Sequence, residues 1–206
     1  MTHTRIKICG ITNMEDARLA VELGADALGF IFVPDTPRFV QDFGLIASIL
    51  SSIPPFVTAV AVCSSTAQVP DLSLFQAVQI YSPISSSIPQ GMKLIRAVRV
   101  KDEGSLNEIA SILQHDHPHT LLLDAYHAGA LGGTGATFNW GLATRVIDTF
   151  HTPIILAGGL TPDNVALAVS TVRPFAVDVS SGVERAPGKK DPARLRDFIA
   201  NVRAVR

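Results

Sequence analysis

The chain reads as an α/β protein, a (β/α)8 TIM barrel, on three observations. Eight short apolar or β-branched runs alternate with helical signals along 206 residues, the order that builds a parallel sheet and the number that closes a barrel. Hydrophobic content is 47% with a mean hydropathy of +0.31, as strands covered on both faces require. Finally, reactive or phosphate-sized elements follow apolar runs in four separated places, Lys7–Thr12, Leu123–Asp124, Leu156–Gly159 and Asp178–Gly182. A parallel barrel brings its strand ends together at one face, so such elements converge on one pocket.

The expected strands are Arg5–Cys9, Ala27–Val33, Phe56–Cys63, Ala77–Ile80, Met92–Val98, Thr120–Asp124, Ile154–Ala157 and Ala176–Ser180. The first helix is expected to begin at Thr12, with Glu15 in capping-box spacing, and to stop at Gly24, where a left-handed conformation is free of strain. Ser105 and Glu108 repeat the box ahead of Leu106, Ile109, Ala110 and Leu113, which recur at i, i+3, i+4 and i+7. Leu195, Phe198, Ile199 and Val202 recur in the same way after Asp191-Pro192, so both faces are expected to pack on the barrel. Between Tyr81 and Gly91, three serines lie between Pro83 and Pro89; a crossover helix is implausible there, and a shortened, irregular connection is expected between the fourth and fifth strands. Neither a fixed-period repeat nor a shift in composition marks a linker, so residues 1–206 are expected to form a single catalytic barrel.

Charge and composition narrow the function. A formal charge of -1 offers no long-range attraction to nucleic acid or anionic lipid, so an anionic ligand is held by local groups. Met1–Ile6 is polar, and the first apolar stretch is broken by Glu22 and Asp26, which argues against a signal peptide or membrane span and for a cytoplasmic protein. Cys9 and Cys63 are the two cysteines, too few for a disulfide scaffold. Apolar helix faces predict a core and leave monomer or homodimer open.

The chemistry concentrates after the strands. Gly158-Gly159 follows the seventh and Ser180-Ser181-Gly182 the eighth, where barrel enzymes commonly hold phosphate on backbone N–H groups; the alternative is that these residues simply turn the chain. Cys9 ends the first strand two residues after Lys7, so both face the barrel interior. A free cysteine is usually a small buried hydrophobe, but beside a cation its thiolate can serve as a general base. Cys63 also ends a strand, with no charge adjacent, and is read as structural. Asp124 ends the run Leu121-Leu122-Leu123, where a carboxyl group in a partly apolar pocket holds its proton tightly enough to be a general acid; capping of the following loop is the plainer role.

Arg38, in Thr36-Pro37-Arg38, offers a fork for a carboxylate or is a solvated charge. The loop Gly132-Gly133-Thr134-Gly135 either closes over a ligand or turns the chain, and His127 stands near the expected mouth. His115, His117 and His119 resemble a metal tract, yet they precede the sixth strand and belong on the opposite face, so no metal site is assigned.

Together, KICGIT, GFIFVPDTPRFV, LLLDAYHAGALGGTGATFNW, ILAGGLTPDNV and VDVSSGVERAPGKKD closely resemble the stretches of the phosphoribosylanthranilate isomerase family, over nearly the whole chain. The resemblance implies a (β/α)8 isomerase of tryptophan biosynthesis. Its reaction is a cofactor-free Amadori rearrangement of N-(5'-phosphoribosyl)anthranilate to 1-(2-carboxyphenylamino)-1-deoxyribulose 5-phosphate. It implies Cys9 as general base, Asp124 as general acid and Arg38 as partner of the anthranilate carboxylate. Gly158, Gly159, Ser180, Ser181 and Gly182 would surround the phosphate, and Gln79, Gly133 and Gly135 would complete the substrate site. The chain departs from the pattern in three places. The usual Gln-Leu-His-Gly reads Gln79-Ile80-Tyr81-Ser82, the basic residue before the fifth-strand Ala is Arg96, and the usual Phe-Asp-Trp reads Phe138-Asn139-Trp140. Two other readings stand beside it: a phosphate-binding barrel without turnover, and an indole-glycerol-phosphate synthase. The latter wants a catalytic lysine at a strand end, for which Lys7 is poorly placed.

Overall fold

Eight parallel strands close into a barrel in chain order in the computed structural model, which describes residues 3–84, 88–125 and 140–205. They are β1 (Arg5–Cys9), β2 (Ala27–Ile31), β3 (Thr58–Cys63), β4 (Ala77–Ile80), β5 (Lys93–Val100), β6 (Thr120–Ala125), β7 (Ile154–Leu156) and β8 (Ala176–Val179). The described helices are α1 (Met14–Glu22), α2 (Phe43–Ser52), α3 (Ser105–His115), α4 (Trp140–Phe150), α5 (Pro162–Val172) and α6 (Pro192–Ala204). An antiparallel pair, β9 (Glu184–Ala186) and β10 (Lys189–Lys190), stands between β8 and α6. No described helix is long and apolar enough to cross a membrane.

Side-chain alternation sorts the strand residues into two layers. Ile6 and Ile8 of β1, Ala59, Ala61 and Cys63 of β3, and Leu121 and Leu123 of β6 join the helices in the larger apolar cluster. Cys9, Val60, Val62, Ala77, Ile95, Ala97, Leu122, Ile155 and Ala176 form a separate cluster inside the barrel. The period of two along each strand produces this division. It separates the two strand-end cysteines, because Cys9 falls on the inward parity of β1 and Cys63 on the outward parity of β3. Many inward residues are alanines, which leaves space above them for polar side chains at the strand ends.

Several elements differ from expectation at their ends. β3 begins at Thr58, with Phe56 96% exposed before it, and β5 extends to Val100. β2, β7 and β8 stop short of Val33, Ala157 and Ser180, whose loops turn toward the pocket. The cap of α1 is Asn13, whose side chain accepts from the Asp16 N–H at 2.8 Å. Thr12 is occupied elsewhere, since its hydroxyl donates to the Gly188 carbonyl at 2.6 Å. Gly24 follows α1 at φ 99° and ends it as expected. Ser105 does not cap α3. Gly104 holds that position, while the Ser105 hydroxyl accepts from the Lys101 N–H at 3.1 Å. The apolar face of α6 is buried as its spacing predicts.

The described part of the β4–β5 connection contains no helix, but it is not alone in being short. β3 and β4 are joined by single 3-10 turns at Thr66–Gln68 and Leu72–Leu74. Pro70, which lacks an N–H, and the capping carboxylate of Asp71 break a longer helix there. His115, His117 and His119 precede β6 and lie at the barrel end away from the site below.

Candidate active site

A pocket of about 380 Å³ opens at the C-terminal ends of the strands, within the ordinary range for small-ligand sites. Cys9, Arg38, Gln79, Asp124, Gly158, Gly159, Ser180, Ser181 and Gly182 all line it. The fold therefore brings together every candidate that falls on described residues. Gly133, Gly135 and His127 lie outside them.

Around Cys9, β1 and β8 place a buried ion pair. Lys7 and Asp178 are partners across the parallel register, and the Lys7 ammonium lies 2.6 Å from the Asp178 carboxylate. Lys7 is 2% exposed and Cys9 5%. Gly29 of β2 makes room for both, since a Cβ there would stand 2.8 Å from the Cys9 sulfur and 3.0 Å from Lys7 Nζ. Burial pushes the Cys9 thiol above its usual value; Lys7 draws it down, Asp178 pushes it further up, and Lys190 draws it down again. The net direction is upward, so the resting group is a thiol, with an ammonium beside it to receive negative charge as its proton leaves. For Lys7, burial favours the neutral amine, but Asp178 and then Cys9 outweigh it and hold the ammonium above the ordinary lysine value.

Asp124 projects from β6 on the opposite flank. The Tyr81 hydroxyl donates to Asp124 Oδ2 at 3.1 Å. Burial, with Asp124 and Asp178 adding to it, holds the Tyr81 phenol well above its usual value, so it remains a neutral donor. Arg99, paired with Asp124 across the β5–β6 register, lies with its guanidinium carbon 5.4 Å from the Tyr81 ring centroid. Arg96, the basic residue noted from the sequence, faces outward. It holds Asp116 at 2.6 Å and the carbonyls of Ile80 and Ser82 at 2.8 Å. Parity explains the exchange, because Ile95 and Ala97 point inward and the next inward residue is Arg99.

The remaining walls suit anions. Arg38 lines the pocket while its Nε–Nη2 edge grips Glu184, with Nη2 to Oε2 at 2.6 Å. Gly158 and Gly159 adopt φ values of 82° and 66°, and the loop is braced by Asn164, whose amide donates to the Gly159 carbonyl at 2.9 Å. Among the described residues, no backbone carbonyl takes the N–H of Gly158, Gly159 or Ser181. Gln79 Oε1 and Ser180 Oγ are buried polar atoms without a partner among the described residues, a costly arrangement unless a ligand or water completes it.

Comparison with known proteins places the chain in a family. The family model described as N-(5'phosphoribosyl)anthranilate (PRA) isomerase matches residues 6–201. The chain belongs to that family. A relative from Geobacter sulfurreducens, named N-(5'-phosphoribosyl)anthranilate isomerase, is 47% identical over 205 residues, covering 95% of this chain and 96% of the relative. The phosphoribosyl anthranilate isomerase of Thermotoga maritima superposes with a TM-score of 0.84 at 38% identity, covering 97% of this chain and 98% of that one. A phosphoribosyl anthranilate isomerase in complex with reduced 1-(o-carboxyphenylamino)-1-deoxyribulose 5-phosphate gives 0.81 at 37%, with the same coverage of 97% and 98%. Within this isomerase family fold, sequence reasoning passed over Asp178, Arg99, Glu184 and Lys190. The first two share inward parity with Ala176 and Ala97, a signal visible in the chain. Glu184 and Lys190 reach the site through the β9–β10 hairpin, which no local pattern announced.

Proposed function

We propose that this pocket rearranges N-(5'-phosphoribosyl)anthranilate to 1-(2-carboxyphenylamino)-1-deoxyribulose 5-phosphate, the isomerisation of tryptophan biosynthesis, with Asp124 as acid and Cys9 as base. Asp124 gives a proton to the ribose ring oxygen; the C1–O bond breaks, and the nitrogen lone pair forms the iminium. That cation acidifies the hydrogen on the second sugar carbon. Cys9, once its own proton has left and the Lys7 ammonium balances the thiolate, takes that hydrogen as a proton, and the C–H electron pair moves to give an enolamine, which tautomerises to the ketone. Two positioned proton carriers on one anchored substrate suffice for this chemistry.

One observation carries the reading: Cys9 and Asp124, on β1 and β6, face the same pocket from opposite flanks. Arg38 supports the carboxylate end, and the Gly158-Gly159 and Ser180–Gly182 loops, where no described backbone carbonyl takes the N–H of Gly158, Gly159 or Ser181, support the phosphate end. Gln79 Oε1 and Ser180 Oγ are acceptors suited to sugar hydroxyls or their water. A cytoplasmic protein, monomeric or homodimeric, fits this small-molecule role.

The test is the loss of anthranilate-type fluorescence when purified protein meets freshly generated substrate. Cys9→Ala and Asp124→Asn, each with parental circular dichroism, are expected to lose about 10²- to 10⁴-fold in kcat. Folded variants with near-parental turnover would refute the assignment.

A further inference from the structure

Behind Arg38 lies a cluster of buried charge that neither proton transfer uses. Glu184 is 7% exposed and Lys190 1%. Glu184 Oε1 accepts from Lys190 Nζ and from Arg38 Nε, each at 2.9 Å, and Oε2 accepts from Arg38 Nη2 at 2.6 Å. Lys190 Nζ also donates to the Cys9 carbonyl at 2.6 Å and the Ser180 carbonyl at 3.2 Å. Three acceptors around one nitrogen match the three hydrogens of an ammonium.

The charges do not cancel. Two cations and one anion leave a net positive charge, and of the three groups only Arg38 lines the pocket. Had Glu184 faced Arg38 alone, the pair would be neutral and a poor receiver for a further anion. With Lys190 balancing Glu184, the charge of Arg38 is left over.

We propose that Glu184 and Lys190 are a positioning pair for Arg38: Glu184 aims the guanidinium through its Nε–Nη2 edge, and Lys190 offsets the charge of Glu184, so that the positive charge of Arg38 is left over for an aromatic carboxylate in the pocket. The proposal rests on Arg38 being the partner of that carboxylate. Two features reinforce the aim. Gly10 sits at φ 74°, and a Cβ there would lie 2.6 Å from Arg38 Cδ, so the side chain crosses where only a glycine leaves room. Lys190 joins the ends of β1 and β8 through the Cys9 and Ser180 carbonyls, which registers the clamp against the proton-abstracting thiol. A guanidinium held along one edge presents its other edge with little freedom left to lose.

Calorimetric titration tests this with two probes, reduced 1-(o-carboxyphenylamino)-1-deoxyribulose 5-phosphate and the same compound lacking the carboxylate. Lys190→Met is expected to weaken the carboxylate probe about 10- to 100-fold, and Glu184→Gln about 10-fold, with KM raised and kcat within about threefold. The double variant, in which Arg38 regains an uncancelled charge, recovers part of the Lys190→Met loss. The probe without the carboxylate binds every form within about threefold. Equal losses on both probes, or undiminished affinity in folded Lys190→Met, would overturn the proposal. If Lys190→Met fails to fold, Glu184→Gln carries the same test through its selectivity between the probes. Should the parental protein itself bind both probes equally, it is the reading of Arg38 that fails.

Discussion

The two flanks of the pocket are built on different principles. On the β1–β8 side, Lys7, Cys9, Asp178, Ser180, Glu184 and Lys190 interlock through short polar contacts within buried surroundings. On the β4–β6 side, Asp124 receives the Tyr81 hydroxyl, and Arg99 lies over the Tyr81 ring from an exposed position. A dense network couples each member to several others, so a single change propagates. On the β4–β6 flank the chain carries Tyr81 in place of the usual family histidine, and a neutral phenol still supplies one donor to Asp124. Cys9 thus sits within an electrostatic assembly, whereas Asp124 accepts a hydrogen bond from a neutral phenol.

The hardest test of this contrast is Lys7→Met. It strands the Asp178 carboxylate, whose side chain is 12% exposed, and breaking such a pair is expected to cost about 3–5 kcal/mol in urea unfolding. Adding Asp178→Asn should recover most of that loss. The ammonium favours the thiolate, so without it the Cys9 pKa, already raised by burial, rises further. The pH curve for alkylation of Cys9 in a Cys63→Ala background then moves to higher pH. An unmoved curve with parental stability would break the idea of a coupled base flank.

A smaller effect is expected at Asp124. Tyr81→Phe removes one hydrogen bond to a group that becomes charged during turnover, and kcat should fall about tenfold with KM near parental. Tyr81→His, which returns a donor, is expected to stay within about threefold of the parental kcat. Stopped-flow fluorescence reads both, and a histidine variant as slow as the phenylalanine one would show that ring shape matters rather than donation. The smallest change belongs to Arg99→Gln. An exposed cation over a ring contributes about 0.5–1 kcal/mol, so kcat should remain within about fivefold by the same assay. A larger loss would mean that Arg99, which lines the pocket, touches the substrate.

Much of the site was legible from residue order because a barrel converts strand ends into neighbours. Cys9, Asp124, Gly158-Gly159 and Ser180–Gly182 each follow an apolar run, and that local fact places them at one mouth. Parity accounts for more: Lys7 accompanies Cys9 inward, and the same rule applied to β5 and β8 selects Arg99 and Asp178 over Arg96 and Val177. Arg96, the basic residue that stands before the fifth-strand Ala, falls on the other parity and turns outward. Capping was misplaced at Thr12 and Ser105 for another reason. Their hydroxyls are taken by Gly188, 176 positions away, and by the Lys101 N–H ahead of the helix, competitors that spacing cannot show.

By itself, the sequence determined the alternation of strands and helices, the apolar faces that bury them, and the reactive groups at the strand ends, because periodicity and propensity act over a few residues. Tertiary structure alone decided which charges meet. Lys7 meets Asp178 across a separation of 171 residues, and Lys190 reaches the Cys9 carbonyl across 181, through barrel closure between β1 and β8 and the hairpin that follows. Such pairings depend on register and on what else is buried nearby, and no local stretch of chain encodes either.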